Sequence, residues 1–332
     1  MMTTRQPPHR LRGYPATTAR PVWRSGPRGV GVVIPFRRYD AGLEEAVASV
    51  WAQSGVEAEA ILVAVGVSER DHLRAERLAA KGRGRIASAA TSGAALAHGT
   101  AASGAPVLTT LDPETTLAPH KLAADVDIIG TDPRAIAVCD LERRQLGAPV
   151  RWSFGALGGL AGGALTAAVA ARGPALPRHI AFSRALYGRT MGYGPTLGRF
   201  ADWSLAIELS GLASGVVRTP QVGLVWTPRP GRTPACEAMW DAALDLHRAF
   251  LCQADMLATR FGAEALTFLR SAAETLVVSA PMRDAWDHLE ARATFPGHVL
   301  TDLRALGRAL DTTCGPAQVR LERAYAALTV PA

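Results

Sequence analysis

Residues 31–54 read GVVIPFRRYDAGLEEAVASVWAQS. The apolar run Val30–Ile34 stops at Pro35 and suits a short strand buried on both faces. A helix is predicted next, over Ala41–Gln53. Leu43, Ala46, Val47, Val50 and Trp51 recur there at three- and four-residue steps, and Glu44 and Glu45 place negative charge in the first turn, where the helix dipole favours it. Working outward, Ala60–Val65 repeats the buried-strand pattern and closes at Gly66. A charged helix over 69–81, a third strand over Arg85–Ala90 and a small-residue helix over Ser92–Ala102 follow. Val107–Leu111 reads as a fourth strand that ends on Asp112, with Pro119 and Lys121 opening another helix. Strands alternating with helices at this spacing predict an α/β, doubly wound, mostly parallel sheet with right-handed crossovers. Ligands of such sheets bind beyond the strand C-termini.

A chain of 332 residues holds one large α/β domain plus an appendage. With 48% hydrophobic and 20% charged residues it builds a sizeable core, and only 6% aromatics means that small side chains fill it. Residues 1–28 are rich in Arg, Pro and Thr and lack an apolar stretch, so they read as a disordered basic tail. Beyond 235 the pattern is helical throughout, punctuated by Pro281, Pro296 and Gly315–Pro316. The uncharged stretch 153–171 carries five glycines, which lower helix propensity by nearly 1 kcal/mol each relative to Ala. It is expected to pack with the soluble domain, not to cross a bilayer.

The net charge of +7 comes from arginines spread along the chain, since Lys81 and Lys121 are its only lysines. No nucleic-acid-binding signature accompanies that charge. It suits attraction to a diphosphate, or peripheral contact with an anionic membrane face. Cys139, Cys236, Cys252 and Cys314 are widely spaced and form no zinc motif, which fits a reducing cytoplasm. His120, His179 and the other histidines show no triad or ligand spacing, and neither a nucleophile elbow nor a P-loop is present.

Four segments, in order, resemble the family-2-type inverting glycosyltransferases of GT-A fold across 29–235. Residues 31–54 resemble that family's opening strand, Pro turn and helix. TSGAALAHGTAASG, 91–104, is similar to the helix before the metal motif. LDPETTLAPHKL, 111–122, looks like the metal-binding Asp-x-Asp and its Pro-x-Lys-Leu. FSRALYGRTMGYGPTLGRFADWSLAIEL, 182–209, resembles the acceptor half, with an Arg after a strand, a Gly-aromatic step and the Glu-Asp-Trp helix. The resemblance implies a GT-A domain over 29–235, followed by a helical segment over 236–332. It implies sugar transfer with inversion from a nucleotide-diphosphate donor, UDP-type favoured, to a hydroxyl acceptor that is a glycan, a lipid-linked group or a small molecule.

The resemblance also implies site residues. Asp112 and Glu114 would hold Mg or Mn, because the leaving diphosphate develops charge that oxygen-ligated hard cations neutralise. Asp202 would be the general base that takes the acceptor proton. Its structural alternative is an N-cap on a helix over 203–213. Donor contacts fall on Pro35, Phe36, Arg37, Val65, Gly66, His98, Asp112 and Arg229, with Arg38 and Arg232 as further cations for phosphate.

The chain departs from the family where Asp-Asp-Gly-Ser normally ends the second strand. Ala64, Val65, Gly66 and Val67 stand there, and Ala201 replaces the Glu before Asp202. A lost hydrogen bond to base or ribose typically costs about 1–3 kcal/mol. A catalytically degenerate relative that binds a glycan or a partner enzyme is the second reading.

Overall fold

The computed structural model describes residues 27–144, 149–153, 157–172, 179–194, 197–198, 201–227 and 253. Residues 1–26 of the expected basic tail, Arg229, Arg232 and the helical segment beyond 235, apart from Gln253, lie outside the described residues, whereas Arg28 is held by the Gly55 carbonyl and Asp127.

The first half alternates as its periodicity predicts. β1 (Gly29–Phe36), α1 (Ala41–Trp51), β2 (Glu57–Val65), α2 (Glu69–Ala79), β3 (Gly84–Ala89), α3 (Ser92–Ala102) and β4 (Val107–Thr110) follow in order. β1 runs two residues past the predicted end. Pro35 lies beyond the last β1–β4 pair, Val33↔Thr110, where its missing N–H breaks no bond to β4. Side chains alternate between two cores. Val33, Ile61, Val63, Val65 and Leu108 join α3 on one face, and Val32, Ile34, Phe36, Leu62 and Ala64 meet residues of α1 and α2 on the other. The sheet order is β3-β2-β1-β4-β8, with β1 to β4 all parallel.

The second half departs from simple alternation. β5 (Thr115–Leu117), α4 (Lys121–Thr131), β6 (Ala135–Arg143), β7 (Val150–Trp152), α5 (Gly162–Arg172), β8 (Phe182–Ser183), α6 (Arg184–Tyr187), α7 (Ala201–Leu212) and β9 (Gly215–Trp226) complete it. A second sheet has the order β5-β9-β6-β7. It is stitched to the first through Ala181, whose backbone exchanges bonds of 3.0 and 2.9 Å with Ala137. Both sheets are flanked by helices, as an α/β fold requires.

From Gly162 onward the glycine-rich stretch forms α5, which packs on α7. Leu165, Val169 and Ala170 are buried, and the Trp203 indole donates to the Val169 carbonyl at 3.3 Å. Among the described residues no helix is long and apolar enough to cross a membrane. Gln253 donates from its side chain to Ser204 (2.8 Å) and Glu208 (3.0 Å) of α7.

Candidate functional site

The parallel register puts the C-terminal ends of β1 to β4 on one edge of the first sheet, together with the N-terminus of α3. Thr91 caps α3 by accepting from the Ala94 amide at 3.1 Å. Gly93, in its first turn, lies against the chain that enters α7. A Cβ on Gly93 would fall 2.4 Å from the Gly194 carbonyl oxygen, 3.3 Å from the Gly198 nitrogen and 3.4 Å from the Ala201 Cβ. That approach brings Asp202 to the same edge. Asp202 is half-buried at the second position of α7, which begins two residues earlier than predicted, so it lies inside the helix and is not its cap. Burial, then the Asp202 charge and Tyr187, push the phenol of buried Tyr193 well above its ordinary range, so Tyr193 is an electrostatic neighbour of Asp202.

Arg37 follows the end of β1 and donates to Ser92 Oγ at 3.1 Å, which holds its guanidinium at the N-terminus of α3. Positive charge and a helix N-terminus together suit a phosphate. Arg38 is turned to Asp40 (2.9 Å), the residue that N-caps α1 through the Gly42 and Leu43 amides. Phe36, Ala64 and Val65 are each 2% exposed, so their side chains belong to the cores and only backbone at those positions faces a ligand. Gly66 turns the chain at φ +59 in open space. His98 lies about two turns down α3, exposed, with Nδ1 donating to the Ser88 carbonyl at 3.3 Å.

Asp112 follows β4 and leads into the turn to β5, where the Thr115 amide donates to the Asp112 carbonyl at 2.9 Å. Its carboxylate is 43% exposed. Glu114 is held by β9, since the Trp226 indole approaches its Oε2 at 3.4 Å and the Thr227 amide bonds its carbonyl at 2.9 Å. Periodicity and spacing gave no hint of His179. The chain before β8 runs antiparallel to β4 and brings its Nε2 to 3.8 Å from Asp112 Oδ2, while Nδ1 donates to the Thr110 carbonyl at 2.9 Å. Among the described residues no three His, Cys, Asp or Glu side chains gather into a ready-made cation cage. Of the expected acidic pair only Asp112 has an imidazole beside it, while the Glu114 carboxylate lies against Trp226, so a divalent ion at Asp112 would take most of its ligands from phosphate and water.

Beneath this turn Lys121 and Asp125 form a fully buried ion pair, and Lys121 Nζ also reaches the His179 carbonyl at 3.5 Å. Burial opposes the charge on Lys121, but the adjacent Asp125 carboxylate, followed by Cys139, holds its pKa above the ordinary value. Burial pushes the Cys139 thiol up to about 12, so it is no nucleophile at neutral pH. Arg184, expected in the acceptor half, lies at the opposite edge. It donates to Ala105 and Ser103 carbonyls at 2.8 Å and closes the C-terminal end of α3.

No family model and no curated protein matches the sequence. Solved structures do match. Mannosyltransferase PcManGT from Pyrobaculum calidifontis, in complex with GDP-Man and Mn2+, aligns at TM-score 0.54 and 16% identity over 94% of this chain and 88% of its own. TarS 1–349 from S. aureus aligns at 0.54 and 13% identity over 91% and 90%. Its complex with UDP-GlcNAc aligns at 0.52 and 13% over the same shares. At such identity the likeness shows the fold, and the fold is GT-A.

Proposed function

We propose that the chain is an inverting glycosyltransferase that moves a sugar from a nucleotide-diphosphate donor to a hydroxyl acceptor. What supports this reading is that one edge of the parallel sheet carries the turn after β4, the α3 N-terminus with Arg37 bonded to Ser92, and the approach of Gly93 to the chain that enters α7. The donor diphosphate lies against Arg37, Ser92 and the α3 N-terminus, with the backbone of Val65 and Gly66 beside it and Arg229 and His98 as further donor contacts. Asp112 and Glu114 supply the acidic pair for Mg or Mn. That ion, when bound, offsets the charge developing on the leaving diphosphate. Asp202 accepts the proton of the acceptor hydroxyl as that oxygen attacks the anomeric carbon from the face opposite the leaving group. The GT-A domain spans 29–235, and the protein works in the cytoplasm, with the inner membrane face as a peripheral contact.

GDP-Man and UDP-GlcNAc in the structurally similar proteins support a nucleotide sugar and leave the base open, with a UDP-type donor the first to test. The test is a panel of UDP- and GDP-sugars assayed by thermal shift with and without Mn2+. A true donor at a hundred times its Kd stabilises the fold by about 2.7 kcal/mol. The anomeric configuration of the product, read by NMR, then decides inversion. The burial of Ala64 and Val65, where the family places its carboxylates, favours a second reading as a non-catalytic binder. No shift with any nucleotide sugar and metal would replace the first reading by the second.

A further inference from the structure

Three residues stand at one level across the second sheet: Thr115 of β5, Trp226 of β9 and Arg143 of β6, each paired with the next. The row starts at the turn after β4, since the Thr115 amide bonds the Asp112 carbonyl at 2.9 Å. Neighbouring strands lie about 4.8 Å apart, so Arg143 stands about 10 Å along the row from β5. Its guanidinium lies over the Trp226 ring, 5.3 Å from the centroid, and the Trp226 indole in turn approaches Glu114 Oε2 at 3.4 Å.

The arginines around it are paired with carboxylates, Arg144 with Glu142 and both Arg151 and Arg218 with Asp140. Half-buried Arg143 has no ion pair or hydrogen bond among the described residues, and even its buried Nε meets no acceptor there. Stacking on an aromatic face orients a guanidinium but satisfies none of its N–H donors. Those donors form a fork that suits the oxygens of a phosphate or a carboxylate. In the reading above, the donor diphosphate belongs to Arg37, which follows β1 in the first sheet. Arg143 lies in the second sheet, on the other side of the turn that joins β4 to β5.

We propose that Arg143, stacked on Trp226, anchors a phosphate or carboxylate carried by the acceptor, which makes the acceptor an anionic hydroxyl compound. The inference rests on the glycosyltransferase reading for calling the ligand an acceptor. Anion binding at Arg143 does not depend on it.

The test is calorimetric titration of the full-length protein with glucose, glucose 6-phosphate and glucuronate, which share ring hydroxyls and differ in the charged group. The two anions are expected to bind at least about tenfold more tightly than glucose, with an affinity that falls as salt rises. Whichever anion binds more tightly identifies the natural group. Arg143→Gln should weaken both by about ten- to a hundredfold, the loss expected of a charged hydrogen bond. Arg143→Lys keeps the charge without the fork and should fall between. Nucleotide-sugar affinity in the presence of Mn2+ should change less than about threefold in either variant, since the donor phosphates lie elsewhere. Glucose bound as well as the anions, no anion bound, or unchanged anion affinity in a folded Arg143→Gln overturns the proposal. A matching loss of nucleotide-sugar affinity would assign Arg143 to the donor and overturn it too. Anion binding through Arg143 in a protein that takes no nucleotide sugar would sink the glycosyltransferase reading and keep the anion site.

Discussion

Asp202 occupies the second position of α7, where its charge already benefits from the helix dipole, and its half-buried side chain neighbours the Tyr193 phenol. Asp202→Asn preserves size and one acceptor oxygen. It forfeits the dipole interaction, about 0.3–1 kcal/mol, so the variant should fold with nearly unchanged stability and donor affinity. A general base is worth about 10²–10⁴-fold, so turnover should fall by that factor. Asp112→Asn should behave differently, because an amide is a weaker ligand and both metal-dependent donor affinity and rate decline. Single-turnover rates and donor titrations on both variants separate the two roles. Unchanged turnover in Asp202→Asn removes that residue from the chemistry.

The contact that delivers α7 to the sheet edge is a matter of elements. Gly93 has room for hydrogen alone beneath the Gly194 carbonyl, whereas a methyl group on Gly130, exposed near the end of α4, would meet nothing within 4 Å. Gly93→Ala must therefore push the chain entering α7 away from α3. It should destabilise by about 1–3 kcal/mol and lower the transfer rate as well. Gly130→Ala should stabilise by up to about 1 kcal/mol at unchanged rate. Urea melts of the pair provide the measurement, and equal midpoints would remove the wedge argument. The same contrast shows what could be read from sequence. α3 was legible to the residue, because Thr91 caps it and Ser103 follows in extended conformation. β6 and β9 were not. Asp140 interrupts the apolar run of one, Pro220 and Gly223 interrupt the other, and a register shift beside Asp140 breaks the strict alternation on which a strand reading depends. β7 and β8, three and two residues long, are too short to carry a period. The Asp112 turn could be found from a local motif, whereas His179 comes to Asp112 only through antiparallel pairing with β4, which no local pattern encodes.

At the scale of the whole molecule, the second sheet braces the turn that carries Asp112 and Glu114, because β5 pairs with β9 and β9 with β6. Asp140 of β6 is the clamp. Its buried carboxylate accepts from Arg218 at two distances of 2.8 Å and from Arg151 at 2.7 and 3.1 Å, which joins β6 to β9 and β7. Burial alone would raise its pKa, but the bonds from Arg218 and then Arg151 outweigh it and hold the carboxyl below the ordinary carboxylate range. A depressed folded pKa contributes stability that is complete above the unfolded value of about 3.9 and is lost as pH falls through the folded one. Glu59 and Asp125 act with the opposite sign, since burial raises both despite Arg85 and Lys121 beside them, so the pH profile of the wild type alone mixes the two trends. The difference between wild type and Asp140→Asn isolates the clamp, because Glu59 and Asp125 are common to both proteins. At pH 7 the variant should be less stable by about 1–3 kcal/mol, the cost of weakened charge-assisted bonds with arginines that water still reaches. The gap should hold from pH 7 to about pH 5, begin to shrink near pH 4 where the unfolded chain takes up its proton, and close as pH falls through the depressed folded value. Denaturant titrations of both proteins across that range are the check. A gap that persists undiminished at pH 3 would mean that Asp140 stabilises the second sheet by shape and not by charge.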